Sequence, residues 1–106
     1  MTRVSAGNPK PWKTSADRPV TLEIFLLKHK YVLPWSQFLY AEGSDDEVRI
    51  AFATHDVFVK GAGLDALLAD LSIQRVAQLQ EATRSEQLEH RGEVFIREIS
   101  VLKVDE

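Results

Sequence analysis

The stretch from Asp56 to Leu68 constrains the fold of this chain most strongly, because three kinds of local sequence follow one another in it. A run rich in β-branched residues leads into two glycines, Gly61 and Gly63, and then into a leucine-rich run. β-Branched residues favour strands, glycines permit tight turns, and leucines favour helices. This order predicts a strand, a turn and a helix in quick succession.

The same stretch has the spacing of the glycine-rich fingerprint found in dinucleotide-binding folds. Gly61, Gly63 and Ala66 occupy its small-residue positions, and Glu81 lies near the distance at which such folds carry a ribose-binding carboxylate. In a true fingerprint, the backbone would hold a pyrophosphate at the helix N-terminus. Glycines that merely let a strand turn into a helix would give the same pattern.

Two observations weigh against a nucleotide at this loop. Asp65 would place negative charge in the first helical turn, where a phosphate would sit. Only 25 residues follow Glu81, too few to supply the further strand and helix units of a doubly wound sheet. We therefore expect no cofactor.

Length and composition narrow the class of protein. A chain of 106 residues is expected to form one domain, and the absence of cysteine excludes disulfides, thiolate zinc sites and a cysteine nucleophile. The first residues lack the apolar run of a signal peptide, and no apolar run approaches the roughly 20 residues that span a bilayer. These features predict a cytoplasmic protein with no membrane partner.

The charged residues are unevenly distributed. Six basic and two acidic side chains fall within the first 30 residues, whereas seven basic and fourteen acidic side chains follow. Nucleic-acid-binding domains concentrate basic charge on the folded surface that contacts phosphate. Since the folded part here is acidic, we expect no nucleic-acid partner, and a nucleic-acid module is only the third functional hypothesis.

The N-terminal region differs in character from the rest. Residues 1–18 contain prolines and small polar residues without apolar periodicity, so they cannot form a core of their own. We predict an extended arm over residues 1–18, anchored by Trp12, and a single α+β domain over residues 19–106.

Apolar alternation predicts most of the strands. Residues 20–27 alternate and are apolar on both faces, and residues 31–33 form a second strand that Pro34 ends. A short turn after Pro34 is predicted to lead into a strand over residues 38–42. The turn at residues 43–46 is rich in glycine and aspartate, which tolerate turn dihedrals.

The second half of the chain predicts a hairpin, a helix and two further strands. Residues 48–52 and 57–59 form the hairpin, and residues 73–80 return as a strand. Residues 81–92 form a charged connection, and the C-terminal strand is expected to bulge near Arg97 and Glu98.

Four leucines define the helix. Leu64, Leu67, Leu68 and Leu71 are spaced at i, i+3, i+4 and i+7, so they lie along one stripe. The predicted fold class is therefore α+β: a mostly antiparallel sheet, roll-like or sandwich-like, with one short leucine-striped helix packed on it.

Candidate catalytic groups are few. His55 and Asp56 are adjacent, and Ser36 or Ser44 could in principle complete a nucleophile, base and orienting acid. Neither serine lies in a G-x-S-x-G turn, and the three histidines lack the close spacing of a metal site. We expect no catalytic residue and no metal. The alternative is a small nucleotide-binding or hydrolytic enzyme that uses the Gly61 loop or the His55–Asp56 tip.

Large apolar side chains exceed what one small core requires. Aromatic residues are enriched where protein surfaces associate, so some of these side chains are expected to form an interface. The expected interface residues are Trp12, Phe25, Leu27, Trp35, Phe38 and Tyr40. The sequence thus favours a non-catalytic protein-binding or self-assembly module, in the simplest case a homodimer.

Overall fold

A computed structural model describes residues 11–81 and 94–104 as eight strands, one 3₁₀ turn and one helix. In chain order these are β1 (Trp12–Thr14), β2 (Thr21–Phe25), β3 (Lys30–Pro34), the 3₁₀ turn (Trp35–Gln37), β4 (Phe38–Gly43), β5 (Glu47–Phe52), β6 (His55–Ala62), α1 (Asp65–Ser72), β7 (Val76–Gln80) and β8 (Phe95–Lys103). With its eight residues, α1 is far too short to cross a membrane, and no helix within the described residues could do so.

The strands form two four-stranded sheets. Sheet A has the order β1-β7-β2-β3, and sheet B has the order β4-β5-β6-β8. Sheet B is antiparallel throughout, whereas sheet A contains one parallel pair, β2 with β7. The predicted α+β class with a mostly antiparallel sheet is confirmed.

Both sheets and the helix share one hydrophobic core. Leu22 and Ile24 of β2, and Ile50 of β5, are fully buried in the same cluster as Leu67 and Leu71 of α1. Leu68 packs against this cluster and is only half-buried. The leucine stripe therefore faces the core, as the spacing predicts.

Several local predictions are confirmed. The hairpin appears as β5 and β6, and Pro34 ends β3 before a 3₁₀ turn that leads into β4. The C-terminal strand bulges at Arg97, because Lys60 pairs with Glu98 while Gly61 pairs with Ile96. Arg97 is the extra residue between them.

Several strand boundaries are wrong. β6 runs from His55 to Ala62, beyond the predicted residues 57–59, and β2 ends at Phe25, before residue 27. The strand predicted over residues 73–80 begins only at Val76, because α1 continues to Ser72 and a turn follows. In this turn Gln74 has a left-handed φ of 54°. The prediction for residues 82–92 lies outside the described residues, and only Glu81 of that connection is described.

Part of the predicted arm is a strand of sheet A. Trp12–Thr14 forms β1 and pairs with β7, while residues 1–10 lie outside the described part. Trp12 is only 3% exposed, and its indole N–H donates to Asp70 Oδ2 at 2.8 Å. The anchoring side chain thus lies in the core of its own chain, which leaves little of its ring for a partner.

Candidate functional site

The two glycines of the fingerprint allow close packing against β8. A Cβ added to Gly61 would lie 2.0 Å from the carbonyl oxygen of Phe95, and one added to Gly63 would lie 2.6 Å from Val94 Cγ2. Gly63 also has a φ of 70°, which side chains with a Cβ rarely adopt. The requirement for glycine here is therefore steric and does not call for a phosphate.

Three backbone donors around this loop are already occupied. The N–H of Leu64 donates to the Asp45 carbonyl at 2.8 Å, and that of Asp65 donates to Asp45 Oδ1 at 3.4 Å. The N–H of Gly61 donates to the Asp46 carbonyl at 3.1 Å. An anion site at a helix N-terminus needs free N–H groups and positive potential. In this loop the N–H groups of Gly61, Leu64 and Asp65 are instead engaged, and carboxylates lie beside them.

Glu81, the candidate ribose ligand, is a structural acceptor. Its Oε1 accepts the N–H of Leu27 at 3.2 Å, and its Oε2 accepts the N–H of Ile99 at 2.9 Å. Its own N–H donates to the Phe25 carbonyl at 2.9 Å. The carboxylate therefore joins the β2–β3 turn of sheet A to β8 of sheet B.

The histidine and aspartate at the hairpin tip do not act together. Asp56 accepts from Arg49 Nη2 at 3.1 Å, whereas His55 Nδ1 lies 2.8 Å from Thr54 Oγ1. Adjacent strand residues point to opposite faces, which separates the two side chains. Ser44 donates to Asp46 at 2.8 Å. Within residues 11–81 and 94–104, no serine contacts a histidine, so the geometry gives no support to a serine nucleophile.

Arg49 is the centre of the outer face of sheet B. Its guanidinium contacts Glu42 Oε2 at 3.4 Å and Asp56 Oδ2 at 3.1 Å, and it lies 5.5 Å from the ring centroid of Tyr40. The hydrogen bond to Asp56 raises the pKa of Arg49 above its ordinary value. Arg49 therefore stays protonated, and the two carboxylates balance its positive charge.

A pocket of about 350 Å³ opens beside Arg49. It is lined by Glu42, Gly43, Ser44, Glu47, Arg49 and Phe58. These side chains include no histidine that could act as a base near neutral pH. Over the described residues, no group of three or more metal-ligating side chains is assembled either. The carboxylates in the lining are Glu42, which pairs with Arg49, and Glu47, and both residues are exposed.

The structure separates the six expected interface residues. Trp12 and Trp35 are buried, and Trp35 donates its indole N–H to the Val76 carbonyl at 3.0 Å. Trp35 also stacks edge-to-face with Phe38 at 5.0 Å, and both rings contact Phe52. These aromatic side chains serve the core of the chain itself.

The other three residues lie at the surface, on two different sheets. Phe25 is on the outer face of sheet A, where Lys30 Nζ lies 4.7 Å from its ring centroid. Leu27 is exposed in the β2–β3 turn, and Tyr40 is exposed on sheet B. The structure does not bring these residues together into one interface.

Sequence reasoning missed two exposed side chains of the β2–β3 hairpin. Val20, which precedes β2, is 82% exposed, and Val32 in β3 is 52% exposed. The alternation in residues 31–33 could have indicated Val32, because Leu33 beside it is buried. Together with Leu27, these side chains give the hairpin an exposed apolar character.

Comparison with protein-family models, with curated proteins and with solved structures found no match. In the Gly61 loop, the N–H groups of Gly61, Leu64 and Asp65 are engaged within the chain. In the Arg49 cluster, the two terminal nitrogens of Arg49 contact carboxylates, whereas its buried Nε has no hydrogen-bond partner among the described residues. The β2–β3 hairpin instead presents apolar side chains to solvent.

Proposed function

We propose that this protein is a non-catalytic assembly module that associates with a second copy of itself through the β2–β3 hairpin. The observation that carries the proposal is the exposure of Val20, Leu27 and Val32 on this single hairpin. Scattered exposed apolar residues are normal on a protein surface, but several on one element favour an interaction site.

The position of the hairpin supports symmetric association. β3 is an edge strand of sheet A, and the outer face of the hairpin carries Phe25 and Val32 between the charged residues Glu23 and Lys30. Interfaces typically combine an apolar centre with a polar rim. A two-fold axis needs only one such patch, because each copy presents it to the other.

A homodimer accounts for these features without catalysis. The groups that a nucleotide site or a hydrolase would need are engaged elsewhere, Glu81 with two backbone N–H groups and Asp56 with Arg49. An interface based on one hairpin would be small, and small interfaces are typical of weak complexes. We therefore expect a dimer whose population rises with protein concentration.

Light scattering across a dilution series tests this proposal. The full chain is expected to approach twice the monomer mass of 12.0 kDa as its concentration rises. The variant Val32→Ser is expected to shift this transition to higher concentration, because it removes the exposed apolar side chain of the edge strand β3. The matched control, Leu102→Ser, changes a similarly exposed side chain on sheet B and should leave the transition in place. A wild-type chain that stays monomeric at every concentration would refute the proposal.

A further inference from the structure

The backbone of β3 alternates between bonds to β2 and groups that face outward. The N–H of Trp35 donates to the Val20 carbonyl at 3.0 Å, and the N–H of Leu26 donates to the His29 carbonyl at 2.8 Å. Directly opposed antiparallel residues alternate between bonded and non-bonded pairs. The pairs Trp35 with Val20 and Leu26 with His29 are bonded, so the pairs of Val32 with Glu23 and of Lys30 with Phe25 are not bonded. The N–H and C=O of Val32 and of Lys30 therefore point away from β2.

This outward edge is open in the part of the chain that the structure describes. No hydrogen bond between described residues reaches the outward N–H of Lys30 or Val32. Lys30, Val32 and Pro34, the three residues with outward backbone groups, are all exposed. An edge of this kind can accept another strand.

The other three sheet edges carry features that hinder strand addition. β1 has only three residues and an irregular register between Lys13 and Thr14. β4 has a bulge, because Phe38 pairs with Phe52 and Tyr40 with Ala51. On β8, Glu81 accepts the outward N–H of Ile99. Such bulges, short strands and inserted charges are the usual protections of sheet edges.

We propose that β3 pairs antiparallel with β3 of a second copy, about a two-fold axis at Val32, so that the two A sheets become one continuous sheet. This inference rests on the self-association proposed above and specifies its contact. In this register Val32 of one copy exchanges both backbone hydrogen bonds with Val32 of the other. The N–H of Lys30 donates to the carbonyl of Pro34 in the second copy.

The side chains suit this register. Tyr31 comes to lie opposite Leu33 of the second copy, and because both face the core side of sheet A, the two cores meet there. Lys30 comes to lie opposite Pro34, which keeps the two ammonium groups about 13 Å apart along the strands. The exposed Val32 side chains cover each other on the outer face. Pro34 has no N–H, so it ends the pairing on each side.

Cysteine cross-linking tests the register directly, because the natural chain contains no cysteine. In Val32→Cys, the paired Cα atoms would lie about 5.5 Å apart, within the range that a disulfide spans. Mild oxidation is expected to convert this variant to a covalent dimer. The control Leu102→Cys, at a site 58% exposed on sheet B, is expected to stay monomeric under the same conditions.

A second variant distinguishes backbone pairing of the two β3 strands from the mere closeness of their residues at position 32. Val32→Pro removes the outward N–H and leaves the β2–β3 bonds in place, since proline is tolerated where an edge N–H faces solvent. Light scattering is expected to show a monomer at concentrations where the wild type is dimeric, with unchanged far-UV circular dichroism.

The outcomes distinguish this inference from the broader proposal. A wild-type dimer combined with no preferential cross-linking of Val32→Cys would overturn the β3 pairing and leave self-association standing. A folded Val32→Pro variant that dimerises like the wild type would overturn it as well. A wild type that is monomeric at all concentrations would overturn both.

Discussion

The strands β8 and β3 both lie at the edge of a sheet, but their outward backbone N–H groups have different surroundings. On β8, the outward N–H of Ile99 is accepted by Glu81 at 2.9 Å, and Arg97 forms a bulge. On β3, the outward N–H of Val32 has no partner among the described residues, and the strand is regular along its pairing with β2.

In the proposed dimer, this difference explains why β3 and not β8 is the strand that pairs. A sheet edge with unpaired N–H and C=O groups readily pairs with another chain, and natural proteins block such edges when they remain monomeric. Glu81 blocks β8 with a charge from the neighbouring sheet. β3 has only Lys30 and Pro34 at its ends, which limit the length of a pairing without preventing it.

The largest expected change in the free energy of unfolding is found when one residue from each edge strand is replaced by alanine. Ile99 is 4% exposed and faces the core, whereas Val32 is 52% exposed. Ile99→Ala is expected to lower the free energy of unfolding by about 2 to 5 kcal/mol, because it leaves a cavity. Val32→Ala is expected to change it by less than about 0.5 kcal/mol in the monomer. Chemical denaturation at low protein concentration measures both, and equal losses would contradict the comparison.

Removing the block on β8 is expected to have an intermediate effect. Glu81→Ala leaves the N–H groups of Leu27 and Ile99 without their acceptor, at a cost of about 1 to 3 kcal/mol in the free energy of unfolding. It also opens the β8 edge, so we expect larger oligomers in light scattering than the wild type forms.

Glu81→Gln is the matched control, because its amide oxygen can still accept one of the two N–H groups. Its free energy of unfolding is expected to lie between that of the wild type and that of Glu81→Ala. If Glu81→Ala had the same free energy of unfolding and the same mass in light scattering as the wild type, Glu81 would not be what prevents pairing at the β8 edge.

The smallest effect is expected on the outer face of sheet B. Arg49 has a side chain that is 35% exposed, and solvent weakens its ion pairs with Glu42 and Asp56. Arg49→Met is therefore expected to change the free energy of unfolding less than Glu81→Ala does. This variant should dimerise like the wild type. Loss of the dimer would indicate that the interface lies on this face and not at β3.

Features set by neighbouring residues could be predicted from the sequence. The alternation in β5 and β6, the leucine stripe of α1 and the bulge at Arg97 each depend on a local pattern, and the structure confirms all three. The left-handed turn at Gln74 was missed because glutamine gives no signal for a positive φ.

Features set by distant contacts could not be predicted. Trp12 forms a strand because β7 lies beside it, and the parallel pairing of β2 with β7 joins residues more than fifty positions apart. The role of Glu81 depends on Leu27 and Ile99, which only the fold brings together. The open edge of β3 likewise follows from strand order, which no local pattern contains.

Amide hydrogen exchange at Val32 and Ile99 tests the central claim most directly, because each N–H points outward from its own sheet. Measured residue by residue along a dilution series, the exchange of Val32 is expected to slow as protein concentration rises. The exchange of Ile99, whose N–H is held by Glu81, is expected to remain slow and independent of concentration. An exchange rate at Val32 that is the same at every concentration would contradict pairing through β3.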